Sequence, residues 1–223
     1  MSISIQPIRI EVDSDTTVSG LLQAPAGVRA AYVLAHGAGA GMDHAFMAAA
    51  AQGLAERGIA TLRYQFPYME RGSKRTDSPA VAHAAVRAAV SRASQEFGGL
   101  RLFAGGKSFG GRMTSQAQAA APLPGVQGLV FLGFPLHPDG APSSTRAEHL
   151  REVHIPMLFL QGTRDKLADI DRMRALSAEL GERATLTELA EADHSFHVLV
   201  RSGRSDAEVM AEILDGAAAW MLR

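Results

Sequence analysis

Beyond residue 29, short unbroken apolar runs alternate with longer segments of helical character, and this alternation narrows the possible folds more than any other feature of the chain. Runs this short and this apolar on both sides belong in a sheet covered on both faces. A parallel sheet crossed by helices provides that cover. The candidate strands are Ala30–Ala35, Ile59–Tyr64, Leu100–Ala104, Gly128–Leu132, Pro156–Gln161 and Thr185–Leu189. Ahead of them, Ile3, Ile5, Ile8, Ile10 and Val12 predict a strand Ile3–Val12. The turn-forming run Asp13-Ser14-Asp15 leads into a second strand, Val18–Ala24, antiparallel to it.

The helices between the strands have legible ends. Asp43 is expected to cap a helix that runs to Arg57 and stops at Gly58. Ser78-Pro79 starts a second helix, with Pro where its missing N–H does no harm, and Gly98 ends it. A third runs from Ala168 to Leu180 before Gly181. The last opens on a capping box, Ser205 and Glu208, and carries Val209, Ile213, Ala217 and Trp220 on one face. No repeat, low-complexity tract or linker divides the chain. The expectation is one α/β domain over residues 1–223: a mostly parallel doubly wound sheet with an antiparallel N-terminal hairpin and little or no cap. The irregular stretches Gln65–Thr76 and Phe134–Thr145 follow predicted strands, where the ligand crevice of such a sheet lies.

Composition removes several function classes. The 223 residues carry a net charge of −1, so no global field draws the chain to nucleic acid or to a membrane surface. With no cysteine, disulfides, thiolate nucleophiles and thiolate metal sites are all excluded. Residues Met1–Asp15 lack the basic start and apolar run of a signal peptide, and no window approaches the ~18 apolar residues of a membrane helix. A cytoplasmic location is expected.

Gly106-Lys107-Ser108-Phe109-Gly110 joins a strand to a helix and fits G-x-S-x-G. This spacing suits a nucleophile because Ser108 then sits on a sharp turn that pushes its hydroxyl into the crevice. The N–H of Phe109 opens the next helix, where the dipole favours a developing oxyanion. A phosphate-binding loop needs glycine at position 101, which is Arg101. A glycine-rich turn with a solvated serine stays open unless partners appear downstream. Asp165 follows Pro156–Gln161, and His194 follows Thr185–Leu189, giving the chain order Ser, Asp, His. A serine hydroxyl needs an imidazole to take its proton and a carboxylate to orient that imidazole. Asp165 could instead serve only as a turn residue or helix cap, with Asp169 and Asp171 as weaker substitutes inside the predicted helix. His197 could replace His194 as the base, although His194 lies nearer the strand end. The two histidines lack the helical spacing of a metal pair, and neither metal nor cofactor is expected. Small residues follow the first core strand in His36-Gly37-Ala38-Gly39-Ala40-Gly41. That is where the second oxyanion donor belongs, assigned to Ala38 with Gly39 the alternative.

With these segments in place the sequence resembles the α/β-hydrolase superfamily over nearly its whole length, and within it compact dienelactone-hydrolase-like proteins. More narrowly it resembles small hydrolases related to a regulatory subunit of the NSL histone acetyltransferase complex. The narrow match rests on His36-Gly37-Ala38-Gly39, Phe66-Pro67-Tyr68-Met69-Glu70, Gly106 to Arg112 and Gly133-Phe134-Pro135-Leu136-His137-Pro138. The resemblance implies a hydrolase fold with Ser108, Asp165 and His194 as triad. It also implies that relatives act as interaction subunits. Dienelactone hydrolases proper usually carry a cysteine nucleophile, so that substrate is not implied here.

The expected function is hydrolysis of a small carboxylic ester or related acyl compound, with that substrate and water as the only partners. A peptidase or amidase using the same triad and a non-catalytic scaffold are the alternatives. Arg63, Arg71, Lys74 and Arg75 cluster at one candidate site loop, while Lys107 and Arg112 flank the serine. Arg63 and Arg112 are therefore candidates for holding an anionic acyl group. The competing expectation is a solvated loop with Arg112 paired to Glu70 or Asp43.

Overall fold

In a computed structural model, which describes residues 3–223, the strands join one eight-stranded sheet in the order β1-β2-β4-β3-β5-β6-β7-β8. The first two residues of the Met1–Asp15 stretch lie outside the described residues. The strands are β1 (Ile3–Glu11), β2 (Thr17–Pro25), β3 (Ala30–Ala35), β4 (Ile59–Tyr64), β5 (Arg101–Lys107), β6 (Val126–Leu132), β7 (Met157–Gly162) and β8 (Ala184–Leu189). β1 and β2 form the antiparallel hairpin, β2 lies antiparallel to β4, and every pairing from β4 to β8 is parallel. Pro7 lies in β1, the edge strand of the sheet, the position in which a strand tolerates proline. This is the α/β, doubly wound sheet with N-terminal hairpin that the sequence predicts.

Alternation along the strands feeds two cores. Ala31, Val33 and Ala35 of β3 join the core under α3 (Pro79–Glu96), α4 (Phe109–Ala120) and α5 (Ile170–Leu180). Ala30, Tyr32 and Leu34 join the opposite core, under α1 (Ala45–Glu56) and α6 (Asp206–Met221). A one-turn helix, α2 (Pro67–Glu70), lies inside the stretch read as irregular. No helix among the described residues is long and apolar enough to cross a membrane.

Most strand and helix ends shift by a residue or two from expectation, and three of the differences bear on the site. His44, not Asp43, caps α1, its Nδ1 accepting the Phe46 N–H at 3.2 Å. Gly41, at φ 78°, turns the chain so that it enters the helix later, which leaves Asp43 exposed. α5 starts at Ile170 behind its cap Asp169, which accepts the Arg172 N–H at 3.0 Å, so Asp169 precedes the helix rather than lying within it. β5 continues past Ala104 through Gly105 and Gly106. These glycines are strand residues without room for a side chain: a Cβ would fall 1.9 Å from the Val130 carbonyl oxygen at Gly105 and 2.1 Å from that of Ala35 at Gly106.

β3 and β5 are neighbours whose connections leave in opposite directions, β3 to β4 on one side and β5 to β6 on the other. Their C-terminal ends therefore open a crevice between diverging loops, the usual ligand position in an open α/β sheet.

Candidate active site

Ser108 sits in that crevice, between the end of β5 and the start of α4, at φ 49°. A residue with a Cβ adopts such a φ only where its surroundings enforce it. Here the glycines on either side make room for it. Besides the clash at Gly106, a Cβ at Gly110 would lie 2.6 Å from the carbonyl oxygens of both Ala35 and His36. The G-x-S-x-G spacing thus lets the elbow press against the end of β3.

The three polar side chains singled out in the sequence meet here. The Ser108 Oγ lies 2.8 Å from Nε2 of His194, whose Nδ1 lies 2.7 Å from Oδ2 of Asp165. The carboxylate can only accept, so Nδ1–H donates to Asp165 and Nε2 is left to accept the serine proton. The Asp165 side chain is fully buried, and that of His194 is one-quarter exposed. Such a carboxylate needs donors. Besides the imidazole it accepts the Leu167 N–H at 2.7 Å and a Gln161 side-chain N–H at 2.6 Å. Gln161 in turn accepts the Phe134 N–H at 2.9 Å. Sequence reasoning missed Gln161, although a lone amide within the fully buried strand β7 was a usable signal. His197 turns to the surface and pairs with Asp206 at 2.9 Å, so the two histidines serve separate places. Asp171 pairs with Arg174 on the surface.

The N–H groups of Ala38, which lines the cleft over Ser108, and of Phe109, which opens α4 directly after Ser108, donate to no protein acceptor among the described residues. The alternative donor, Gly39, is already committed: its N–H donates to the Tyr68 hydroxyl at 2.9 Å. The loop is also held by His36. Its Nδ1–H donates to the Gly37 carbonyl at 2.7 Å, while its Nε2 accepts the Phe66 N–H at 3.1 Å. Burial lowers the His36 imidazole to about 4, so it stays neutral and keeps both roles.

The cleft over Ser108 has a volume of about 380 Å³. Beyond the loop Gly37, Ala38 and Ala40, it is lined by apolar Phe46, Met47 and Leu167 and by polar His44, Lys107 and Ser195. Neither arginine proposed for an anionic substrate lines it. Arg63 is buried in β4, bonding the Met42 carbonyl at 2.9 Å and Gln23 at 3.2 Å, because β4 is enclosed on both faces and its side chains cannot reach the crevice. Arg112 pairs with neither Glu70 nor Asp43; Glu70 is taken by Arg9 and Ser19, and the Arg112 Nε is buried without a partner.

The sequence profile of the alpha/beta hydrolase domain matches residues 28–222, which is everything after the β1–β2 hairpin. Among solved structures, the esterase domain of a Rhodothermus marinus protein is similar over 99% of this chain and 98% of that one, with 18% identity and a TM-score of 0.74. A dienelactone hydrolase from Anabaena variabilis matches at 20% identity over 99% and 97% of the two chains, TM-score 0.75. A serine hydrolase without lid from Xanthomonas campestris matches at 19% identity over 97% and 94%, TM-score 0.74.

Proposed function

The chain belongs to the alpha/beta hydrolase domain family, and from that premise we propose that it hydrolyses small carboxylic esters through Ser108, His194 and Asp165. The observation that carries this reading is the unbroken chain of bonds from a strained serine through an imidazole to a buried carboxylate, 2.8 and 2.7 Å. Nothing about folding requires it. A serine held at φ 49° and a carboxylate stripped of water both cost stability. Such costs persist where chemistry needs them.

In the first step His194 Nε2 takes the hydroxyl proton as Ser108 Oγ attacks the ester carbonyl. The oxyanion forms against the N–H groups of Ala38 and Phe109, each such donor stabilising the transition state by on the order of 3 kcal/mol. His194 then returns its proton to the leaving alkoxide, giving acyl-Ser108 and an alcohol. Water repeats the sequence: His194 accepts its proton, the hydroxide adds to the acyl carbon, and Ser108 leaves reprotonated. Asp165 holds the imidazole in the required tautomer and stabilises it while it is charged.

The cleft walls favour neutral substrates with a short acyl group. Phe46, Met47 and Leu167 offer apolar contact, and about 380 Å³ suits a small molecule rather than a peptide. A fluorophosphonate probe and a panel of p-nitrophenyl esters test the proposal. The wild type is expected to label and to turn over acetyl and butyryl esters, and Ser108→Ala to lose both. Labelling that survives in Ser108→Ala, or a folded wild type inert on every ester, overturns it.

A further inference from the structure

We propose that Lys107 is a positioning residue of this site, its ammonium clamping the backbone carbonyl of His194 and so fixing the imidazole against Ser108. The inference rests on the reading of Ser108 and His194 as a working pair.

Lys107 is the last residue of β5 and precedes Ser108, yet its side chain does not extend into solvent. Its Nζ donates to the His194 carbonyl oxygen at 2.6 Å and lies 5.0 Å from the centre of the Phe196 ring. Gly133, past the end of β6, closes the third side: a Cβ there would come within 3.0 Å of Nζ and 3.7 Å of His194 Nδ1. Gly37 packs on the stem, where its Cβ would meet Lys107 Cγ at 3.5 Å. The ammonium is thus caged by groups that belong to, or touch, the segment bearing the base.

That segment needs a clamp. His194 lies on a tight turn in which Glu191 and Phe196 both adopt positive φ, 61° and 65°. Local bonds shape the turn, with Asp193 accepting the Ser195 and His197 N–H groups at 2.7 and 3.0 Å. They hold the turn to itself, whereas Lys107 ties it to the strand that carries the nucleophile. A tether between the two reacting elements fixes their separation, and misplacement by about 1 Å can cost on the order of 100-fold in rate.

The charged groups around the ammonium are Asp165 and Asp193, and the titratable imidazoles nearest it are His194 and His44 on the same cleft; Gly133 and Gly37 contribute none. Burial outweighs the two carboxylates and lowers Lys107 to about 8. At neutral pH the clamp is charged; above 8 it loses its proton and the bond weakens. Linkage gives the opposite sign for stability. An unfolded lysine keeps its proton up to about 10.5, so between 8 and 10.5 the unfolded state binds more protons and stability rises with pH. Activity is therefore expected to fall in a window where the fold tightens, which a merely structural lysine does not produce.

The test combines turnover, hydrogen exchange and thermal unfolding on wild type, Lys107→Met and Ser108→Ala. Wild-type kcat is expected to decline with a midpoint near pH 8 without loss of Tm. In Lys107→Met, kcat at pH 7 should drop about 10- to 100-fold with little change in KM. Its alkaline limb should vanish, and its Tm should be no lower than that of wild type. Exchange of residues 190–197 should be faster in Lys107→Met than in wild type at pH 7, with the two converging at pH 9. This arm reads the clamp without relying on catalysis, and Ser108→Ala reports separately on the proposed function. Wild-type exchange matching that of Lys107→Met at pH 7 overturns the inference. So does an alkaline limb that persists in the variant, or a wild type whose kcat is flat through pH 8.

Discussion

At the scale of single residues, the site depends on which amides are left free. Tyr68 takes the Gly39 N–H at 2.9 Å and is itself tied by its backbone N–H to Asp77 at 2.8 Å. The carboxylate of Asp77 is almost fully buried, so this anchor is not a loose one. Holding Gly39 fixes the Ala38–Gly39 peptide, next to the Ala38 N–H that has no protein acceptor among the described residues. Tyr68→Phe keeps the ring, which packs edge-on to Phe109 at 6.3 Å, and removes only the hydroxyl. The expected result is a kcat lower by about 10-fold with KM little changed, since an oxyanion donor acts in the transition state more than in the ground state. Steady-state kinetics on a p-nitrophenyl ester checks it; an unchanged kcat refutes the role. Ser108, Asp165 and His194 could be read from sequence because each follows a recognisable strand. Gln161 left a signal, a lone amide in an otherwise apolar strand, but its partners, like those of Tyr68, lie on other segments that meet it only in space. Arg63 and Arg112 were misread for a related reason. Clustering of basic residues in sequence carries no information about which way each side chain turns.

One scale up, the β5–Ser108–α4 elbow converts sheet spacing into chemistry. Neighbouring parallel strands approach so closely at Gly105 and Gly106 that their carbonyls occupy the space of a side chain. Gly106→Ala places a Cβ 2.1 Å from the Ala35 oxygen, and the residue stands at φ 144°. Backbone of a central strand cannot yield without breaking the ladder on its far side. The variant is expected to lose about 4 kcal/mol or more, the range reserved for severe core disruption. Urea unfolding measures it, and a loss under 1 kcal/mol would show that β3 shifts freely. Strands were legible at this scale because their apolar runs are bounded by turns; β3 and β4 coincide with expectation to the residue. β5 read short because glycine signals a turn more often than an extended strand, and only the neighbouring carbonyls reveal the difference. The α1 cap moved to His44 because the turn at Gly41 consumes residues that the sequence pattern assigns to the helix. α2 escaped notice, its single turn being too short to show a period.

For the molecule as a whole, two apolar cores and an enclosed sheet leave several titratable groups away from water, and these set how stability follows pH. His36 is fully buried and its imidazole lowered to about 4; His149, half-buried beside Arg112, is lowered to about 4 as well, chiefly by burial. In the unfolded chain both bind protons near 6.5. As pH falls from 6.5 to 4 the unfolded state gains protons that the native state refuses, so stability declines through that window and levels off below it. His36 alone accounts for about 3 kcal/mol at 1.36 kcal/mol per pKa unit. The carboxylates held low by hydrogen-bonded partners act at lower pH: Glu179 by Arg151, Glu188 by Arg174 and Asp206 by His197. His197, raised by its bond to Asp206, works in the opposite direction, its contribution being lost as pH rises, but it is exposed and screened. The decline between pH 6.5 and 5 therefore belongs to His36 and His149, with His83, which burial also lowers, adding to it. Urea midpoints at pH 7.5, 6.5, 5.5 and 4.5 are expected to fall steadily. His149→Gln should reduce the slope without abolishing it, because Gln can still bond the Ser115 hydroxyl that His149 meets at 2.7 Å, while His36 still titrates. A midpoint independent of pH from 6.5 to 4.5 would mean that His36 is protonated in the native state, which its acceptor bond from the Phe66 N–H does not allow.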